Sequence, residues 1–303
     1  MGIAEWILLG TASVASAGCA FFVLATRSLA SGRESAGRLA EPLGALTLAG
    51  GFVCLSVFLL GAPDWSDWVH YVTWSATGAA VLGAASGFVR RKMPRILLTV
   101  LLGVMIPALA FPSVRSEWSG LVAASVATSL LGLLGAVVLA STGMLAERRP
   151  GPSWPLAWIL FAAGVAAVNL LSHYATYAIL AGGLASLAAL PAAVTLWRRE
   201  CRFGSASSVA LVACGLALLL GGYLHNFPQD RAPALSFLLI GLAPLLPWVG
   251  ELASLRKSPR LAAVVRVGAV GLAIALALAL ATFGGGSGEE TPGGGGDFDF
   301  DDL

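Results

Sequence analysis

Histidine, tyrosine and aspartate are scarce in this sequence, and their placement narrows the chemistry open to it. Its three histidines are His70, His173 and His225. Tyr71, Tyr174, Tyr177 and Tyr223 lie near them, and Asp64, Asp67 and Asp230 are close by along the chain. Imidazole titrates near neutrality and ligates transition metals and haem iron. Asn169, His173 and Tyr177 are spaced four apart, the interval that aligns side chains on one helix face. His70, His173, His225, Asn169 and Tyr177 therefore form a candidate ligand site for a metal, a haem or a quinone-like headgroup. The alternative is that His and Tyr are amphipathic residues suited to a membrane interface. No two histidines share a ligand spacing on one helix, so a joint site requires separate helices to converge.

Other chemistry is thin. The four cysteines, Cys19, Cys54, Cys201 and Cys214, include no CxxC pair, which argues against a disulfide framework or a zinc site. No phosphate loop, dinucleotide fingerprint, HExxH or GxSxG occurs. After Phe283 the sequence turns to GGGSGEETPGGGG, a flexible-linker composition. It ends in Asp297-Phe298-Asp299-Phe300-Asp301-Asp302-Leu303. Alternating Phe and Asp can add to the edge of a partner's sheet, and a terminal carboxylate can be captured by backbone amides. The tail is thus either a docking peptide for a protein partner or a solvated acidic end. Two segments result, a helical region over 1–283 and the tethered tail over 284–303.

The elements that must position these residues are set by hydropathy. Hydrophobic residues make up 57% of the chain and charged residues 11%, against about 25% charged in soluble domains. The fold class is all-α, a polytopic membrane helix bundle whose partner is the lipid bilayer. A span needs about 20 apolar residues. Ten runs qualify, roughly 5–26, 43–63, 69–89, 95–113, 119–145, 154–172, 174–197, 206–225, 233–252 and 261–283. One continuous helix over 154–197 would be about 66 Å long, so a turn is required near His173.

Charge placement orients the spans. The odd-numbered loops hold fifteen of the eighteen Lys and Arg residues. Positive-inside places those loops in the cytoplasm and both termini outside. The basic residues are of this topological kind and give no support to nucleic-acid binding. Nine tryptophans fall near span ends, as an aromatic belt would. Arg266 lies near enough to a span end to snorkel. The excess of arginine over lysine, sixteen to two, points to a GC-rich bacterial genome and an inner-membrane location.

Prolines interrupt two runs, Pro107 and Pro112 in the fourth and Pro244 and Pro247 in the ninth. The fourth is short enough to be re-entrant. Two inverted halves of five would put both in corresponding places, and paired broken helices point to a transporter substrate site. Three functions follow: a carrier for a small neutral or amphiphilic solute, a non-catalytic subunit or assembly factor docking through its tail, or a membrane redox or lipid-modifying protein using the histidines.

Overall fold

The computed structural model describes residues 34–64, 67–89, 92–117, 121–148, 153–197, 204–226, 233–252 and 258–283. The first expected span and the tail lie outside them. The described residues are helical, with no strand among them. Without water to bond peptide groups, an apolar run satisfies its backbone only by coiling. The helices are α1 (Glu34–Leu60), α2 (Trp68–Ala85), α3 (Lys92–Glu117), α4 (Leu121–Arg148), α5 (Ser153–Leu171), α6 (Ala175–Trp197), α7 (Ser205–Asn226), α8 (Ala234–Leu242) and α9 (Pro259–Phe283). Two 3-10 stretches, Ser86–Phe88 and Ala243–Glu251, follow α2 and α8.

Five helical stretches are long and apolar enough to cross a membrane, and three shorter apolar helices accompany them. Leu97 (66% exposed), Leu272 (72%) and Val264 (68%) point away from the bundle. Such outward aliphatic surface is compatible with a membrane protein and costly in water.

Helix α7 is the axis, packing against α1 to α6 and α8, and almost all of it is buried. Small residues let its neighbours approach. A Cβ on Gly83 would lie 2.6 Å from the Ala210 Cα, and one on Gly215 would lie 2.5 Å from the Phe161 ring. Lipid supplies no hydrophobic drive between helices, so this close packing holds them together. Gly78 and Gly182, in the same small-residue runs as Gly83 and Gly183, instead face open space. Several buried hydroxyls are satisfied within their own helices, as Ser56 donates to Phe52 O and Thr142 to Val138 O.

The proline pairs behave differently. Helix α3 continues through Pro107 and Pro112, so the helix interruption expected there is absent. Pro107 has no N–H, which leaves the Gly103 carbonyl without its helical donor. That carbonyl meets Gly135 of α4, where a Cβ would lie 3.0 Å from it. The two glycines bring the backbones close enough for a Cα–H to face the freed oxygen. Pro244 and Pro247 do change the helix, since both lie in the 3-10 stretch after α8. The paired interruption from which an inverted repeat was read is therefore not a pair.

The turn required near His173 is present. Helix α5 ends at Leu171 and α6 begins at Ala175. His173 sits at φ 64°, and the Tyr174 N–H bonds back to Asn169 O at 2.9 Å, closing α5 in a left-handed cap.

Candidate functional site

The bundle has two chemically distinct ends. At one, the starts of α2 and α6 meet the last turns of α5 and α7, and this is the histidine end. Asp67 caps α2 by accepting from the Val69 N–H at 2.8 Å. Asn169, in the last turns of α5, is fully buried against Gly222 of α7. A side chain on Gly222 would occupy the space of the Asn169 amide oxygen, so only glycine fits there. The Asn169 Nδ2 reaches Leu218 O at 3.5 Å, whereas its Oδ1 has no hydrogen-bond partner among the described residues.

One turn into α6, Tyr177 is 1% exposed, and its hydroxyl also lacks a partner among the described residues. The His225 ring stands edge-on to Tyr174 and Tyr177, with centroids 5.1 and 5.4 Å away. The Tyr174 hydroxyl donates to the His225 carbonyl. His225 Nδ1 lies 3.0 Å from Gly221 O, and a carbonyl only accepts, so Nδ1 carries the hydrogen. Asp67 is within electrostatic reach of Tyr177 and His225.

The structure thus brings Asn169, Tyr177 and His225 together, with Tyr174 and Asp67 beside them. It does not bring in the other two histidines. His70 Nδ1 accepts from the Asp64 backbone N–H at 3.1 Å and stitches the loop before α2. His173 is exposed, because its left-handed turn swings it off the face that Asn169 and Tyr177 share. Among the described residues no three His, Cys, Asp or Glu side chains are placed to hold a metal. The nest offers an amide oxygen, a phenol and an imidazole, a set suited to hydrogen-bonding a polar group.

A second feature lies toward the same end. A half-open groove of about 490 Å³ runs between α3, α4, α7 and α8. Ile106 and Pro107, Leu131 and Leu134, Leu216 and Leu220, and Phe237 line it. Tyr223 is at its α7 wall, edge-on to Phe237 at 5.6 Å. Pro107 was singled out as a helix break and instead forms part of this wall. The leucines were indistinguishable in sequence from lipid-facing ones. The Gly221-Gly222 pair was a usable signal, since each helical glycine costs about 1 kcal/mol and so implies a packing reason.

The other end gathers basic residues. Arg266 is buried and pairs with Glu251 at 2.6 Å, so it does not snorkel. Its guanidinium lies 5.2 Å from the Trp154 ring centroid. Trp154 and Trp158 are fully buried and stacked at 5.7 Å, and the Trp158 indole donates to Ser208 at 3.0 Å. These two tryptophans face the core and form no lipid-facing belt. The acidic-aromatic peptide Asp297–Leu303 lies outside the described residues. No family model matches the chain, no curated protein matches it, and no solved structure matches it.

Proposed function

We propose that this chain is a ten-span protein of a bacterial inner membrane, with both termini outside the cytoplasm, that binds and carries a small amphiphilic solute. The observation that carries the reading is the groove. Its volume of about 490 Å³ is within the usual range of ligand sites, about 300–1,000 Å³. Its lining is almost wholly aliphatic, with Tyr223 and Thr128 as its polar side chains. Such a lining selects an apolar chain over a sugar or an ion. Pro107 and Phe237 put it between the fourth and ninth expected spans.

The span count rests on the apolar run at 5–26 together with the described helices. The orientation rests on the fifteen basic residues in alternate loops. The inverted repeat plays no part in this reading.

The test is uptake of a fluorescent fatty acid by proteoliposomes containing the full chain, beside labelling by a diazirine-bearing fatty acid. Leu238→Trp, at a position 44% exposed on the groove wall, should fill the groove without burying a new group. Labelling of α3, α4 and α7 should then fall several-fold, with uptake falling in parallel. Labelling by the fatty acid that is unchanged in the Leu238→Trp variant, or wild-type uptake no faster than in protein-free vesicles, would overturn the proposal.

A further inference from the structure

At the basic end, a cleft of about 350 Å³ lies between α3, α4 and α7. Arg95, Thr99, Glu147 and Arg148 form its polar part, while Ile96 and Met144 line its apolar part. The Arg95 guanidinium is held by at least two described neighbours. It pairs with Glu147 at 2.8 Å and donates to the Ser205 hydroxyl. Arg148 stacks on the Trp248 ring with its Cζ 5.4 Å from the centroid. Both guanidiniums are thereby oriented, and among the described residues lining the cleft two arginines stand with one carboxylate.

The apolar part continues onto lipid-facing surface. Ile96 and Met144, each 39% exposed, form the outer apolar edge of the cleft on α3 and α4. A ligand that matches this surface carries a phosphate at one end and an acyl chain at the other. Basic pockets between membrane helices recognise anionic headgroups in this way. Arginine forks suit phosphate oxygens, and the adjoining aliphatic surface suits a tail.

We infer that this cleft binds the headgroup of an anionic phospholipid, with Arg148 and Arg95 on the phosphate and the lipid tail along Ile96 and Met144. The site is separate from the groove at the histidine end and does not depend on its occupant. Inorganic phosphate shares the headgroup chemistry but lacks the tail.

The purified full chain is exchanged into detergent containing phosphatidylglycerol, phosphatidylcholine or 5 mM inorganic phosphate. Retained lipid is read by native mass spectrometry and stability by thermal unfolding. Wild-type protein should retain phosphatidylglycerol several-fold over phosphatidylcholine and be stabilised by it, while phosphate alone has little effect. Arg148→Gln, at an exposed residue, should lose most of that preference while unfolding normally in phosphatidylcholine. Glu147→Gln raises the net charge of the cleft by one and should increase phosphatidylglycerol retention, which a purely structural carboxylate would not do. Equal retention of the two lipids, an unaltered preference in Arg148→Gln, reduced retention in Glu147→Gln, or stabilisation by phosphate matching that by phosphatidylglycerol would each overturn the assignment.

Discussion

The two ends of this bundle differ in the charge of the polar groups they bury. At the basic end, the Arg266 charge is matched by Glu251 and lies against Trp154, although its Nε has no hydrogen-bond partner among the described residues. At the histidine end, the Asn169 oxygen and Tyr177 hydroxyl are equally buried, yet neither has a hydrogen-bond partner among the described residues. A neutral polar group can be left in that state for about 1–3 kcal/mol, whereas an unpaired buried charge cannot. The basic end therefore acts as a clamp. The histidine end retains hydrogen-bonding capacity that an amphiphile's polar group or a structural rearrangement could use.

The largest test of this contrast is to open the clamp. Glu251→Ala strands the Arg266 charge and should cost about 3–5 kcal/mol in thermal or denaturant unfolding. The double variant Glu251→Met with Arg266→Met should recover most of it, and a single variant as stable as wild type would show that the pair is not a clamp. Next in size is Gly222→Ala, which drives a methyl into the Asn169 oxygen. A loss of about 1–3 kcal/mol is expected, partly relieved when Asn169→Ala is added. Additive losses would separate the two residues. Tyr177→Phe removes an unpartnered hydroxyl and should change stability by less than about 0.5 kcal/mol. A loss well above that in a melting experiment would mean the hydroxyl is bonded and the two ends are alike. The smallest effect is His173→Gly, which relieves a left-handed φ of 64° and should gain about 1 kcal/mol or less. A clear loss would assign the His173 side chain a role beyond the turn.

Features set by local sequence were legible without coordinates. Apolar run length marks the helices, and comparing 44 residues with the bilayer thickness requires a turn at His173. Features set by neighbours were not. Whether Pro107 breaks a helix depends on Gly103, four residues back, meeting Gly135 of another helix. Whether Arg266 snorkels depends on Glu251, from the preceding helical stretch, packing beside it. Trp154 and Trp158 resemble belt residues in sequence, but Arg266 and Ser208 draw them inward. In the candidate site, Asn169, Tyr177 and His225 meet because α5 and α6 both pack on the last turns of α7. His70 and His173 had equal standing in sequence and lost it through local backbone geometry.

The 3-10 stretch Ala243–Glu251 also has a consequence for reach. A 3-10 helix rises about 2.0 Å per residue, against 1.5 Å for an α-helix. Eighteen α-helical residues over 234–251 would extend about 27 Å, short of a hydrocarbon layer about 30 Å thick. With nine of them wound as 3-10, the same residues extend about 31 Å. By tightening its coil, a span with few residues gains the length that carries Glu251 to the level of Arg266.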